Sequence, residues 1–227
     1  MIARMRTCAA VAALLVLVVT AAWAADHVAV EDWSSAPVGH KGIPPGWKGQ
    51  QWGSPAYDFI VEEDGGKKVL HIRSKNEGST ISKEVKGKVN LKDTPVLEWS
   101  WKMVDLPKGG NSCAKATDDQ AGQLFVTWPR FPEQVRSRII GYVWDTTQPV
   151  GTTCKSEKTA MVTYIVVRSG AGDAGKWLTE RRNVAQDFKK IYGEDAENPG
   201  IVSISIDSND TGGSSESFMG AIAFRRQ

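Results

Sequence analysis

The chain has 227 residues, of which 28 are basic and 26 are acidic. Residues 1–24 contain Arg4 and Arg6 and no acid, so without these two arginines 26 basic side chains remain against 26 acidic ones. A chain without net charge or a basic stripe is not expected to bind nucleic acid or anionic lipid. The remaining length of about 200 residues suits a single domain.

Residues 1–24 have the features of an export signal. Arg4 and Arg6 precede an uncharged apolar segment at 9–22, and Ala22-Trp23-Ala24 fits a small-x-small cleavage site. The apolar segment is shorter than the roughly 20 residues that span a bilayer, which favours cleavage over anchoring. We therefore expect a periplasmic or secreted protein in which residues 25–227 form the domain, with no membrane span after cleavage.

Short alternating segments then follow one another along the chain. Gly-rich turn signals such as Asp64-Gly65-Gly66 and Asn76-Glu77-Gly78 separate most of them. Many short strands of this kind predict an all-β, jelly-roll-like antiparallel β-sandwich. The predicted strands are 28–33, 58–62, 68–74, 80–84, 96–103, 123–128, 138–144, 161–168, 178–183, 201–207 and 219–224.

Alternation also assigns faces to two of these strands. In 96–103 the apolar side is predicted to face the core, and it consists of Leu97, Trp99, Trp101 and Met103. In 138–145 both sides are apolar, with Tyr142 and Trp144 on one of them. That strand is either central and covered on both faces, or one face is an aromatic binding platform.

One short helix interrupts the strands. Asn183 can cap its start, and Gly193 can end it. Between them Val184, Phe188 and Ile191 recur at helical spacing. A helix of two to three turns is expected to close one end of the sandwich.

Two cysteines lie beyond residue 24, Cys113 and Cys154. An even pair in an exported protein predicts one disulfide, and two free thiols are the alternative. The histidines at 27, 40 and 71 show no ligand spacing, so a zinc site is not expected.

The segment 201–213 is a strand that runs into an acidic, Gly-rich loop. Val202, Ile204 and Ile206 alternate with polar residues. In the loop, Asp207, Asn209 and Thr211 offer oxygen atoms at alternate positions, as calcium requires, but Phe218 stands where a bidentate acid is expected. The alternatives are a turn whose side chains bond to their own backbone, and contact with a ligand. No other cofactor is expected.

Charged residues in or beside three other strands are candidates for the same site. Asp118-Asp119 precedes strand 123–128, and Arg181-Arg182 lies in strand 178–183, with Trp177 just before it. An inward-facing charge must be paired. We therefore expect Asp118 or Asp119, one of the two arginines and Asp207 to converge at one end of the sandwich. Separate structural salt bridges are the alternative.

The order of these motifs resembles domain-of-unknown-function family 3047, a set of exported bacterial proteins. Two departures are visible: Asn209-Asp210 stands where the family tends to read Asp-Asn, and Ala221 where it tends to have an acid. The family implies no activity, and its general look is similar to jelly-roll modules that bind carbohydrate, in which an acid on the last strand often holds a structural calcium. The motifs are Leu106-Pro107-Lys108-Gly109, Lys115, Asp118-Asp119-Gln120-Ala121-Gly122, Tyr142-Val143-Trp144, Val167-Arg168-Ser169-Gly170, Trp177, Glu180, Arg181-Arg182-Asn183-Val184, Asp187, Asp207-Ser208-Asn209-Asp210-Thr211-Gly212 and Gly220-Ala221-Ile222-Ala223-Phe224.

The leading functional prediction is non-catalytic binding of a carbohydrate or cell-envelope glycan. Stacking is expected from Trp144 or Trp177, and the other expected ligand contacts are Asp118, Asp119, Tyr142, Arg181, Arg182 and Asp207. No nucleophile elbow, P-loop, dinucleotide fingerprint or H-E-x-x-H motif occurs in the sequence, so no catalytic residue is assigned. Two alternatives remain: a glycan-cleaving hydrolase or lyase that uses Asp118, Asp119 or Asp207, and a structural partner in an envelope complex.

Overall fold

The computed structural model describes residues 27–227, and the predicted signal at 1–24 lies outside the described residues. The chain forms thirteen strands and two helices in the described range. In chain order they are β1 (His27–Glu31), β2 (Lys48–Gly49), β3 (Asp58–Asp64), β4 (Lys67–Lys75), β5 (Gly78–Glu84), β6 (Val96–Asp105), β7 (Gly122–Trp128), α1 (Glu133–Arg136), β8 (Arg138–Asp145), β9 (Thr153–Lys155), β10 (Val162–Ser169), β11 (Leu178–Asn183), α2 (Val184–Tyr192), β12 (Ile201–Asp207) and β13 (Ser214–Arg225).

The strands form two sheets that pack as a jelly-roll-like sandwich. The six-stranded sheet has the order β11-β6-β13-β4-β3, with β1 also paired to β13. The seven-stranded sheet has the order β2-β5-β12-β7-β8-β10-β9. Every predicted strand is present, and the sequence prediction missed β2, β9 and α1, which are too short to show a repeat pattern.

Tryptophan and tyrosine rings join the two sheets in the core. Trp99 of β6 contacts Tyr142 of β8 at a ring separation of 5.4 Å, and Trp101 contacts Trp144 at 5.9 Å. All four rings are fully buried. The core-facing side predicted for β6 is therefore confirmed.

Both sides of strand β8 carry buried residues. On the side away from the core, Val143 belongs to a second cluster with Val162, Tyr164 and Val166 of β10. The pairing of β8 with β10 is parallel, whereas all other strand pairs of the sandwich within residues 27–227 are antiparallel. A parallel pair needs a crossover connection, and here residues 146–161 supply it and include β9.

The predicted helix is confirmed as α2. The Asn183 side chain accepts a hydrogen bond from the Gln186 N–H, and Gly193 ends the helix in the left-handed conformation at φ 75°. Phe188 packs on Trp128 with ring centroids 4.6 Å apart. The helix therefore covers one end of the core, as expected. No helix within residues 27–227 is long and apolar enough to cross a membrane.

The predicted disulfide is present between Cys113 and Cys154, whose Cα atoms lie 5.7 Å apart. It joins the long loop after β6 to β9 at the edge of the seven-stranded sheet. The bridge limits the conformational freedom of both segments.

Candidate functional site

A cleft of about 790 Å³ lies on the face of the seven-stranded sheet that points away from the core. The alternation of β12 creates this division, because Val202, Ile204 and Ile206 enter the core. The residues between them, Ser203 and Ser205, line the cleft. The polar side of this strand was visible in the sequence, and it proves to be the cleft floor.

Paired hydroxyl groups form the polar part of the floor. Thr80 of β5 lies opposite Ser205 of β12, and Ser82 lies opposite Ser203. The oxygen atoms of each pair are 2.9 Å apart. A hydroxyl both donates and accepts hydrogen bonds, so this floor can serve a ligand that presents both kinds of group.

Two aromatic rings form the apolar part of the cleft. Phe125 and Tyr164 face each other across β8 with ring centroids 6.3 Å apart. Gly141 lies between them in register with both. A Cβ atom at Gly141 would be 2.7 Å from Phe125 Cε1 and 2.9 Å from Tyr164 Cδ1. The absence of a side chain at Gly141 is what lets the two rings lie against the sheet.

A third aromatic residue stands at the rim. Trp52 is 66% exposed, in a loop that Gln50 attaches to β5. The Gln50 side chain accepts from the Thr80 N–H at 2.8 Å and donates to the Trp52 carbonyl at 2.9 Å. An exposed indole on an anchored loop offers a flat surface for stacking.

Two carboxyl groups line one end of the cleft. Asp118 accepts from Gln120 Nε2 at 3.1 Å and from the Tyr164 hydroxyl at 3.3 Å. Asp207 Oδ1 accepts from the Gln120 N–H at 2.6 Å and from Gln123 Nε2 at 2.8 Å. Burial raises the pKa of Asp118. Burial, with the charges of Asp119 and Asp118 adding to it, holds the pKa of Asp207 well above its usual value of 3.8.

Lys158 supplies the positive charge at this end. Its ammonium group pairs with Asp210 and lies 3.5 Å from the Asp118 carbonyl oxygen. Burial opposes this charge, but the hydrogen bond to Asp210 and the charges of Asp118, Asp210 and Asp207 outweigh it, and the pKa of Lys158 is raised. An arginine was predicted here from the sequence, and the lysine was overlooked.

The neighbouring Asp119 has a different environment from Asp118. It is fully buried and accepts the backbone N–H groups of Asp210 and Thr211 at 3.1 and 2.6 Å. These bonds attach the loop after β12 to the segment before β7. The structure thus brings Asp118, Asp119 and Asp207 together, with Asp119 as a structural link rather than part of the cleft lining.

The two arginines lie elsewhere, on β11 at the edge of the six-stranded sheet. Arg181 pairs with Glu98 at 2.9 Å, and Arg182 pairs with Asp187 at 2.5 Å. Both ion pairs form within the six-stranded sheet or between it and α2. The expected convergence is therefore corrected, because the pairing of β11 with β6 brings Glu98 to Arg181, and Asp187 in the first turn of α2 pairs with Arg182.

Three aromatic residues expected to contact ligand also lie outside the cleft. Tyr142 and Trp144 are fully buried in the core, with the Tyr142 hydroxyl donating to Asp187 and the Trp144 indole to the Gly170 carbonyl. Neither ring has a free face, which corrects the expectation for both. Trp177 is 36% exposed, but it packs beside Phe218 and donates to Asp64 on the six-stranded sheet.

In the loop at 207–212, where a calcium site is one sequence prediction, the Gly213 N–H donates to the Ser208 carbonyl at 3.0 Å. The Asn209 amide donates to Asp210 at 3.2 Å, and Thr211 Oγ1 is buried without a partner among residues 27–227. That range contains no group of three or more His, Cys, Asp or Glu side chains suited to a metal. Calcium at Asp207, Asn209 and Thr211 stays a prediction, which thermal unfolding with and without a chelator checks.

The cleft residues missed from the sequence include Trp52, Phe125, Lys158 and Tyr164. A signal existed for Phe125, because Gln123, Phe125 and Thr127 alternate with the core residues Leu124, Val126 and Trp128 as the serines of β12 do. Trp52 and Lys158 lie outside the strands, where no periodic pattern indicates direction.

Comparison with protein families assigns the chain to a family that covers this site. The model of the family described as "Protein of unknown function (DUF3047)" matches residues 45–223. The chain belongs to this family. The match includes every strand that forms the cleft. The resemblance inferred from the motif order is therefore confirmed. Curated proteins contain no match to the chain.

Solved structures with similar folds include carbohydrate-binding modules. A Family 11 module from Clostridium thermocellum, in complex with a β-1,3-1,4-mixed-linked tetrasaccharide, is 8% identical, with 88% of this chain and 95% of that chain covered and a TM-score of 0.46. A Family 30 module is 10% identical, with coverage of 88% and 99% and a TM-score of 0.46. The CBM22-1 xylan-binding domain from Paenibacillus barcinonensis is 13% identical, with coverage of 83% and 90% and a TM-score of 0.39. Similarity at this level carries no argument about the ligand.

Proposed function

We propose that this protein is an exported, non-catalytic binding protein for a carbohydrate or cell-envelope glycan. The observation that carries the proposal is the composition of the cleft: a floor of paired hydroxyl groups between an exposed tryptophan and two further aromatic rings. Mixed polar and aromatic lining is typical of small-molecule and sugar sites.

The floor matches the hydrogen-bonding needs of a sugar. Each sugar hydroxyl both donates and accepts, and so do Ser203, Ser205 and their partners on β5. Asp118 and Asp207 add acceptors at one end of the same surface. A ligand with many hydroxyl groups can therefore replace its lost water contacts without leaving buried polar atoms unpaired.

The aromatic residues match the other surface of a sugar. A pyranose ring has an apolar face of C–H groups that packs on aromatic planes. Trp52 at the rim and the ring pair of Phe125 and Tyr164 are the candidates here. In the strand order, Trp52 lies beside β5 and the ring pair lies on β7 and β10, with the serines of β12 between them. This arrangement suits a ligand of more than one sugar unit.

Export is proposed from the covalent structure together with the sequence signal. The disulfide between Cys113 and Cys154 is consistent with an oxidising compartment, since such bridges are rare in the cytosol. Envelope glycans are found in the periplasm or outside the cell, where such a compartment exists.

A glycan-cleaving hydrolase is the second candidate, favoured by one observation. Asp118 and Asp207 both line the cleft and both have a raised pKa, as the acid of a carboxylate pair requires. New reducing ends after incubation with a bound glycan, lost in Asp207→Asn, would favour this candidate. We expect no such products.

The test of the leading proposal is a glycan array followed by titration calorimetry on each glycan that binds. In Trp52→Ala we expect binding to weaken by roughly 10- to 100-fold, as for other exposed aromatic anchors, with an unchanged melting temperature. Phe131→Ala is the matched control, because Phe131 is 86% exposed and lies outside the cleft. No binding to any glycan by the folded protein would overturn the proposal.

A further inference from the structure

The charges of the cleft lining are unevenly divided between acids and bases. Three carboxyl groups line it, those of Glu77, Asp118 and Asp207, and the one cationic side chain among the lining residues that the structure describes is Lys158. Recognition of a sugar carboxylate normally uses arginine or lysine. This lining offers a single candidate, so the state of that lysine decides which ligands the cleft accepts.

Lys158 is already engaged by the protein. Its ammonium group pairs with Asp210 across the end of the cleft and lies near the Asp118 carbonyl oxygen. The Lys158 side chain is 34% exposed and that of Asp210 is 18% exposed. Two of the three N–H donors of Lys158 therefore already have acceptors, and a ligand carboxylate that reached the third would lie beside the charge of Asp210.

The carboxyl groups of the lining also disfavour a ligand that carries a carboxylate. The carboxylate of Glu77 accepts the Ala56 N–H at 2.7 Å, and Asp118 accepts from Gln120 and Tyr164. An incoming carboxylate brings no donor to these groups and adds a like charge beside them. A sugar hydroxyl, in contrast, donates to a carboxylate, so the same surface favours an uncharged ligand.

We propose that the cleft selects glycans without carboxylate groups and rejects polyuronates. The inference rests on the proposed function, because it names the substrate class of the same site. Asp118 and Asp210 lie beside the one ammonium group of Lys158, and Asp207 and Glu77 add two further carboxyl groups to the same end and lining.

Two pairs of polysaccharides with the same backbone test the proposal: hydroxyethyl against carboxymethyl cellulose, and methyl-esterified against de-esterified galacturonan. Titration at low ionic strength should show binding to the neutral member of a pair and weaker binding, by on the order of tenfold or more, to the carboxylate member. The difference should shrink at high salt, because salt screens charges beyond a few ångströms.

Variants identify the groups responsible. Asp118→Asn keeps the shape of the side chain and removes a negative charge. It should therefore narrow the difference in affinity between the neutral and the carboxylate polysaccharide of a pair. In Lys158→Met, binding of the neutral member should stay detectable, and the difference in affinity between the neutral and the carboxylate member should widen. Asp173→Asn is the control, because Asp173 pairs with Lys176 and Arg168 outside the cleft. This variant should change the affinity for neither member of a pair.

Three results would overturn the inference. Equal or tighter binding of the carboxylate member in either pair contradicts it while leaving the proposed function in place. A uronate-bearing glycan that binds most tightly on the array would also contradict the inference, and so would loss of that glycan's binding in Lys158→Met. Failure to bind any glycan, in a protein whose melting curve is intact, removes the proposed function and the inference with it.

Discussion

At the scale of single residues, Asp207 shows how burial alters a carboxyl group at the end of a strand. Its Oδ1 accepts two N–H donors, from the Gln120 backbone and the Gln123 side chain. Burial and the nearby carboxylates nevertheless raise its pKa well above 3.8. The desolvation cost of the charged form is therefore larger than the stabilisation from the two hydrogen bonds.

We predict that Asp207→Asn stabilises the protein increasingly as pH rises. Asparagine retains an oxygen for both donors and carries no charge. A carboxyl group whose pKa is raised on folding costs no stability below about pH 4. It destabilises the native state as pH rises toward the folded pKa, by about 1.4 kcal/mol for each pH unit that separates the folded from the unfolded pKa. Urea unfolding from pH 4 to pH 9 measures the difference. A variant that loses stability relative to wild type as pH rises would contradict this assignment.

Trp177 gives a second prediction at this scale, which separates the cleft from the other sheet. Its indole donates to Asp64 and packs near Lys102 on the six-stranded sheet. In Trp177→Ala we expect a lower melting temperature and unchanged glycan affinity, in contrast to Trp52→Ala. Calorimetry on the two variants side by side makes the comparison, and loss of binding in Trp177→Ala would return that residue to the site.

At the scale of elements, the cleft depends on one position of β8. Gly141 has no side chain where Phe125 of β7 and Tyr164 of β10 approach from either side. Two aromatic rings can flank a central strand this closely on the cleft side only if the residue between them is small.

We predict that Gly141→Ala destabilises the protein by about 1–3 kcal/mol, the usual range for overpacking. The new Cβ would come within 3.0 Å of both rings, so the rings must move toward the cleft and alter its shape. Gly172→Ala is the matched control, since a Cβ there meets nothing within 4 Å and should change stability by no more than about 0.5 kcal/mol. Equal unfolding free energies for the two variants would show that the rings adapt at no cost.

At the scale of the whole molecule, the disulfide joins the loop after β6 to β9 at the edge of the seven-stranded sheet. Cys113 and Cys154 are 41 residues apart in sequence. Cys154 lies opposite Tyr164 in the pairing of β9 with β10, so the bridge also supports the apolar side of the cleft.

We predict that the double variant Cys113→Ser, Cys154→Ser loses about 4 kcal/mol of stability, from the chain entropy of a loop of this length. For a domain of this size that corresponds to a melting temperature lower by roughly 10 °C. Wild type with a reductant should match the variant. A reduced wild-type protein that melts at the oxidised temperature would show that the bridge adds nothing to stability.

The local features of this protein can be read from its sequence. Strand positions, the face of β6 that enters the core and the limits of α2 follow from period-two alternation and from capping residues such as Asn183 and Gly193. The disulfide followed because only two cysteines remain beyond residue 24. Each of these features depends on residues that are close together in the chain or, for the disulfide, on a pairing for which only one combination exists.

The surfaces that form the candidate site follow from the packing and order of the strands, which no local pattern encodes. Alternation separates the two sides of a strand, but it cannot say which side is covered when both are apolar, and so Tyr142 and Trp144 were assigned to ligand although they lie in the core. The fold then decides the partners of charges that have none nearby in the chain. It places Arg181 beside Glu98 and Lys158 beside Asp210, contacts between residues more than 50 positions apart that no local pattern encodes.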